Sequence, residues 1–124
     1  MSQSPSTNVR VLPNMIGSSL SAPTAVTTTE AAILTAPVSG RYKVTSIVLC
    51  ERSGNARTVT VRKYASSLGA SAANNLFTAL ALAANETVVI NFPEGLWLTN
   101  GQILAALASA NTSIAMDVNY EAER

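Results

Sequence analysis

The most constraining feature of this sequence is an alternation of apolar and polar residues with a period of two. It recurs in short runs from residue 31 onward; between Arg57 and Tyr64, for example, Val59 and Val61 alternate with polar residues. Because successive side chains of a β-strand point to opposite faces, this period predicts half-buried strands. Gly, Pro and Asn separate the runs at short intervals, which favours an all-β fold.

Eight strands are predicted on this basis, with approximate spans of 31–34, 42–51, 57–64, 76–82, 87–92, 96–98, 103–109 and 114–120. The second and third are expected to pair as a β-hairpin around Ser53-Gly54-Asn55. Pro93 is expected to end the strand before it. Residues 70–82 also have the alanine and leucine content of a helix, so two interpretations stay open there: a helix, or a strand that follows a short helical turn near Ala72.

Strands of this number and spacing, without a convincing long helix between them, predict a β-sandwich or barrel, with a jelly-roll arrangement among the options; they do not determine the strand order. The 124 residues are the size of one ordinary domain. Residues 1–30 differ from the rest because Ser, Thr, Pro and Asn predominate among scattered apolar residues. Such a segment does not order itself through its own hydrophobic content. We therefore expect an extended N-terminal arm over 1–30, lying against its own domain or a neighbouring subunit, and a sandwich domain over 31–124.

The chain is poor in charge. Charged residues make up 12% of it, about half the usual share. A surface with few charges is weakly solvated and suits burial against protein neighbours, although a slightly apolar soluble monomer is the simpler alternative. The net charge is +1 and the eight Lys and Arg are dispersed, which argues against nucleic acid or acidic substrates as partners.

The chain contains no histidine and a single cysteine, Cys50. This removes the Ser-His-Asp and Cys-His arrangements of nucleophilic catalysis and the usual ligands of zinc. No glycine-rich phosphate-binding motif occurs, and one aspartate is too few for a calcium loop. We therefore expect no enzyme activity, no catalytic or metal-binding residue and no cofactor. A carboxylate pair among the seven Asp and Glu is the remaining catalytic alternative.

Two side chains, Cys50 and Trp97, each have a structural interpretation and a functional alternative. Cys50 lies in a predicted strand, where it is either a small packed side chain or a thiol activated by Arg52 and Arg57. Trp97 lies between two leucines and is interpreted as a core or interface anchor, with a platform for stacking sugars as the alternative. Neither residue defines a site by itself.

Neither a signal peptide nor a membrane-spanning run is apparent. The first five residues begin no basic stretch followed by an apolar run. No run approaches the roughly 18–20 apolar residues that a membrane helix needs. A single cysteine excludes an internal disulfide, which is compatible with folding in a reducing cytosol. We expect a soluble protein made in the cytoplasm, with no membrane partner.

From Tyr42 through Glu121 the chain resembles a small β-sandwich module of virion proteins from tailed bacteriophages. The similarity lies in the order of four segments: YKVTSIVLCERSGNARTVTVRKY, LAANETVVINFP, GLWLTNGQILAALAS and TSIAMDVNYEAE. These segments contain no catalytic signature, and the N-terminal arm lies outside the resemblance.

The resemblance implies a structural role on the virion. The expected function is that of a capsid decoration (cement) protein, a homo-oligomer and often a trimer, which binds and stabilises the lattice of the major capsid protein on the outer capsid surface. A polar arm would suit a strap between adjacent capsomers. Related modules in necks, tails and fibres imply an alternative, a tail component with a receptor- or sugar-binding surface. That alternative predicts an exposed aromatic patch around Trp97 or the tyrosines.

Overall fold

A computed structural model of the chain describes residues 23–65 and 72–123, together with the backbone of residues 15–19. These residues form nine β-strands and a 3-10 turn at Ala72–Asn74, so the predicted all-β class is confirmed. None of them belongs to a helix long and apolar enough to cross a bilayer. The strands are β1 (Met15–Ser19), β2 (Thr24–Val26), β3 (Ala31–Thr35), β4 (Arg41–Glu51), β5 (Arg57–Tyr64), β6 (Asn75–Leu82), β7 (Thr87–Thr99), β8 (Ile103–Ala108) and β9 (Ile114–Glu123).

The strands form two antiparallel sheets. Sheet A has the order β1–β9–β4–β7, with β2 also paired to β9, and sheet B has the order β3–β8–β5–β6. Because β1 and β2 both lie along β9, they act as two parts of one edge strand. If β1 and β2 are counted as one strand, the sandwich has eight strands. The first then pairs with the last (β9), β3 with β8, β4 with β7 and β5 with β6. This nested pairing is the jelly-roll arrangement, which is among the options that the sequence predicts.

The hydrophobic core lies between the inner faces of the two sheets. Alternate residues point into it, as the period of two requires: Ile47 and Leu49 on β4 and Met116 and Val118 on β9 are all fully buried. Sheet B contributes Leu34, Val59, Val61, Leu82, Leu104, Ala106 and Ala108 to the same cluster. Burial of apolar area at about 25 cal/mol per Å² makes this cluster the main source of stability.

The predicted hairpin between the second and third predicted strands is wrong. β4 pairs with β7 and β9 in sheet A, whereas β5 pairs with β6 and β8 in sheet B. Residues 52–56 therefore cross from one sheet to the other. The turn residues Ser53-Gly54-Asn55 specify that the chain reverses direction, but not whether the two strands pair. Instead of pairing with β4, β5 buries its apolar face by packing against sheet A from the opposite side of the core.

Pro93 does not end a strand, contrary to the prediction. β7 runs from Thr87 to Thr99 and joins two of the predicted strands. Its ladder with β4 shifts in register, so that residues 92–95 form a bulge opposite Thr45. Proline is tolerated at bulges and on edge strands, because the ladder needs no hydrogen bond from its nitrogen there. β7 is an edge of sheet A.

The structure also decides between the alternatives for residues 72–82. The 3-10 turn at Ala72–Asn74 leads directly into β6, so the strand interpretation is confirmed there. β6 is irregular: Ala79 has a φ of 48°, and its N–H donates to Oγ1 of Thr60 at 3.0 Å. Residues 66–71 lie outside the described part of the chain.

The described parts of the predicted arm lie on their own domain. β1 and β2 both pair with β9 of the same chain. Beyond β2, the carbonyl of Thr27 accepts from the N–H of Ala108 at 2.9 Å, and the N–H of Thr28 donates to Oδ1 of Asn111 at 2.6 Å. Residues 24–28 are thereby held by β9, by the end of β8 and by the connection between β8 and β9. The remainder of the arm, residues 1–14 and 20–22, lies outside the described residues.

Candidate interaction surface

The outer face of sheet A divides into a charged end and a part with few charges. Its outward residues form rows across β9, β4 and β7. The charged end consists of the rows Glu123–Arg41–Thr99 and Glu121–Lys43–Trp97. The remaining rows are Asn119–Ser46–Asn91, Asp117–Val48–Val89 and Ala115–Cys50–Thr87. Asp117 is the single charged residue in this second part, so most of it is small, polar or apolar.

Trp97 lies on this outer face and not in the core. The guanidinium carbon of Arg41 lies 4.2 Å from the centre of the Trp97 ring, and the ammonium of Lys43 lies 5.9 Å from it. A cation over an indole face contributes about 0.5–1 kcal/mol at exposed sites. Arg41 also forms an ion pair with Glu123. One face of the ring is therefore covered, and a sugar could stack on that face only after displacing Arg41.

The three tyrosines do not join Trp97 in one aromatic patch. Tyr42 and Tyr120 contact each other, with ring centres 4.7 Å apart and planes tilted by 41°, and both pack against the core. Tyr64 lies on β5, in the other sheet. The aromatic patch expected of a sugar-binding surface is thus not assembled by the aromatic side chains that the structure describes.

Gly95, in the bulge of β7, is expected not to tolerate a side chain. Its φ is +81°, and a Cβ atom there would lie 2.5 Å from Cγ and Cε of Lys43. Gly95→Ala combines backbone strain with displacement of the Lys43 stem, so we expect it to lower the free energy of unfolding by about 1–3 kcal/mol.

Gly54→Ala is the matched control for this substitution. Gly54 has a φ of +80° with no atom within 4 Å of an added Cβ, so only the backbone term applies. Urea unfolding of the two variants separates the cost of backbone strain from the cost of the contact with Lys43. An equal loss of stability in both would show that the contact with Lys43 costs nothing.

Two shallow recesses lie at the end of the sandwich where β4 begins. One of about 560 Å³ lies between the turn 38–41 and the residues Thr99, Asn100 and Glu123. The other, of about 350 Å³, lies between Pro37, Tyr42 and the end of β9. Val38 is 81% exposed on the same turn. A protruding apolar side chain beside open recesses is typical of a contact surface, whereas a small-molecule site is usually enclosed.

The carboxylates serve local structure. Glu30 forms an ion pair with Arg62, with side chains 14% and 19% exposed, respectively. Glu86 accepts from the N–H of Ala83 at 2.7 Å. No group of three or more Cys, Asp or Glu side chains in the described residues is placed to hold a metal ion. The carboxylate-pair alternative gains no support from these contacts.

Glu51 organises two loops with one carboxylate. The residue is 1% exposed and accepts from the N–H groups of Ser53 (2.9 Å), Gly54 (2.9 Å) and Asn85 (3.1 Å), and from the Ser53 hydroxyl. Burial raises the pKa of Glu51, but these hydrogen bonds outweigh burial and lower the pKa to about 2. Because Asn85 belongs to the turn before β7, Glu51 ties the connections 52–56 and 83–86 together. Sequence reasoning missed this role.

A second polar cluster, also missed from the sequence, lies on the outer face of sheet B. Arg62 forms its ion pair with Glu30 and donates from Nε to Oδ1 of Asn75 at 2.6 Å. Burial, and then the Glu30 carboxylate, raise the pKa of the Tyr64 hydroxyl, while Arg62 opposes the shift. Ala105, opposite Arg62 on β8, is fully buried although it points away from the core. The cluster therefore fixes the start of β3 to β5.

Cys50 lies on the outer face of sheet A and is partly accessible. Its Sγ lies 3.8 Å from the carbonyl oxygen of Glu51. Of the two arginines expected to activate it, Arg57 donates to Oγ of Ser53 at 3.4 Å and Arg52 is exposed. These contacts fit the interpretation of Cys50 as a small packed side chain.

Comparisons with known proteins yield one structural similarity. No family model matches the chain, and no curated protein matches it. One solved structure, from the study "Bacillus endospore appendages form a novel family of disulfide-linked pili", is similar over 94% of this chain and 97% of its own, with 16% identity and a TM-score of 0.49. A similarity of this strength carries no conclusion about function.

Proposed function

We propose that this protein is a virion structural protein of a tailed bacteriophage. Its role is that of a capsid decoration protein, a homo-oligomer, preferably a trimer, which binds the major capsid protein on the outer surface of the particle and stabilises the lattice. It acts through protein contacts alone, without catalysis, a metal ion or a cofactor.

The observation that carries this proposal is that five of the charged side chains are compensated within the chain itself. Arg41 pairs with Glu123 and Arg62 with Glu30, while Glu51 is enclosed by loop donors. The rest of the outer faces is mostly small, polar or apolar. Because an uncompensated charge is costly to bury, charged residues are depleted at the centres of protein interfaces. A surface of this kind suits burial against a protein neighbour.

The N-terminal segment gives further support. β1 begins opposite the last residues of β9, at the register Met15↔Glu123, so residues 1–14 precede a strand that is held in the edge of sheet A. The residues before β1 are rich in Ser, Thr, Pro and Asn, a composition that suits contact with an adjacent subunit. The resemblance over residues 42–121 favours a phage particle as the setting.

Mapping the protein on purified particles tests this proposal. We expect labelled protein at regular positions over the capsid, with a copy number set by the symmetry of the lattice. Particles prepared without the protein should bind it when it is added back, and should then resist heating better. Protein found at the tail tip alone would contradict a decoration role.

A tail, neck or fibre module that binds a receptor is the second candidate, and the position of Trp97 on an outer face favours it. Trp97→Ala should then abolish binding to host cells. Tyr64→Phe, in the other sheet, is a suitable control because it leaves the outer face of sheet A unchanged. Tyr42 and Tyr120 are unsuitable, because their rings pack against the core. Unchanged binding by Trp97→Ala would argue against a receptor-binding role for this face.

A further inference from the structure

The outer edge of β7 is open in the described part of the chain, because β7 is the last strand of sheet A. The carbonyl of Glu86 accepts from the N–H of Glu51 at 2.8 Å. In an antiparallel ladder, residues bonded to the partner alternate with residues whose backbone groups point away. Every second residue counted from Glu86 is therefore bonded to β4. The intervening residues, which direct both backbone groups to the open edge, are Thr87, Val89 and Asn91.

The first half of β7 lacks the features by which edge strands usually avoid pairing. Native edges are interrupted by charges, prolines or bulges. Residues 87–92 contain no charge and no proline, and the register with β4 is unshifted from Thr87 to Asn91. The second half of β7 has the bulge with Pro93 and Glu94, and the edge strands of sheet B, β3 and β6, both shift in register. Within β7, the open part of the edge is thus confined to residues 87–92.

The side chains along this open part of the edge are self-complementary. Thr87, Val89 and Asn91 are all exposed, and Val89 is 55% exposed. Antiparallel pairing centred on Val89 would place Val89 opposite its own copy and Thr87 opposite Asn91. Glu86 would then lie opposite Phe92, so no charge would meet a like charge directly. A two-fold interface requires a patch that fits itself in this way.

We infer that the edge of β7 is a self-association site. Two copies pair antiparallel through residues 87–92 and join their A sheets into one continuous sheet across a two-fold axis. A two-fold contact joins only two copies, so this contact is separate from the one that forms the proposed trimer. Three residue pairs, each exchanging two bonds, supply about six backbone hydrogen bonds, and the two Val89 side chains cover each other. Such a contact is at the small end of specific interfaces, so the association is weak and depends on concentration.

Sedimentation velocity from micromolar to submillimolar protein tests this inference. The average mass of the wild type should rise with concentration. Val89→Lys places two ammonium groups opposite each other and should raise the dissociation constant of the pair at least about tenfold. Ala81→Lys is the matched control, because it adds the same charge at an exposed position of β6, an edge strand of the other sheet. It should associate as the wild type does.

Val89→Pro is a second variant: it removes the outward N–H of residue 89 and fixes φ there near about −65°, a change that an edge strand tolerates. It should keep the far-ultraviolet circular dichroism of the wild type and lose the association. A wild type that stays monomeric, or an oligomer that persists unchanged in both Val89 variants, would overturn the inference. Neither result bears on where the protein lies on the particle, which the mapping experiment decides separately.

Discussion

Leu49→Ala is expected to lower the free energy of unfolding by about 2–5 kcal/mol. Leu49 is completely buried on β4, between Val88 of β7 and Met116 of β9 in the ladder. Truncation leaves a cavity that the paired neighbours cannot close, because their ladders hold them in place. Domains of this size are stable by about 5–15 kcal/mol, so this one substitution removes a large share. Chemical denaturation measures the change.

Val38→Ala is the control for this prediction. Val38 is 81% exposed on a turn, so its truncation should change stability by no more than about 0.5 kcal/mol. A loss below about 1 kcal/mol for Leu49→Ala would contradict the position of β4 as an inner strand of sheet A with its alternate residues in the core.

Glu51→Gln is expected to lower the melting temperature and to weaken the dependence of stability on acid. The substitution replaces one acceptor oxygen by an amide donor, which would face either the two donors of Ser53 or the N–H groups of Gly54 and Asn85. The pKa of Glu51 falls from its ordinary value of 4.5 to about 2 in the folded protein. Its stabilising effect is therefore fully present above pH 4.5 and is lost as the pH falls through about 2.

Thermal unfolding between pH 7 and pH 2 measures this effect. Glu94→Gln removes the same charge from an exposed side chain in the bulge of β7, and so controls for net charge. Between pH 4.5 and about 2, the curve for Glu51→Gln should be flatter than the curves for the wild type and for Glu94→Gln. A curve for Glu51→Gln that parallels that of the wild type would contradict the role of this carboxylate.

Glu51 also links the loops to the inferred association edge. Its carboxylate holds the N–H of Asn85, and its own N–H donates to the carbonyl of Glu86, immediately before β7 begins. The alignment of β7 on β4 therefore starts at this residue. For this reason, association of Glu51→Gln should be measured beside its stability, at a temperature where the variant is fully folded.

Strand positions were largely predictable, because they depend on a local pattern. The sequence predicts a strand over 57–64, and β5 is Arg57–Tyr64; it predicts 42–51, and β4 is Arg41–Glu51. The core residues Val59 and Val61 follow from the same alternation. The strands of the arm were harder to predict. Thr24–Val26 forms β2, although the residues around it have the polar composition of a flexible tail. Its order comes from pairing with β9, to which local composition gives no clue.

Side-chain surroundings were less predictable than strands. Trp97, between two leucines, was a candidate for the core, yet it lies outside, because the bulge before it and the alternation of β7 bring Leu98 to the inner face. The ion pair of Glu30 with Arg62 joins residues 32 positions apart. Glu51 precedes a turn sequence, which is the one local sign of its role.

The sequence by itself determined the all-β class, the spacing of the strands and most of the core, because alternation and turn residues act within a few positions of one another. The tertiary structure alone decided that β4 and β5 belong to different sheets, that β7 continues through Pro93, and which edge stays open. Each of these depends on which distant strand covers an apolar face or supplies a backbone partner. Several partners satisfy the same local pattern, and only packing of the whole chain selects one of them.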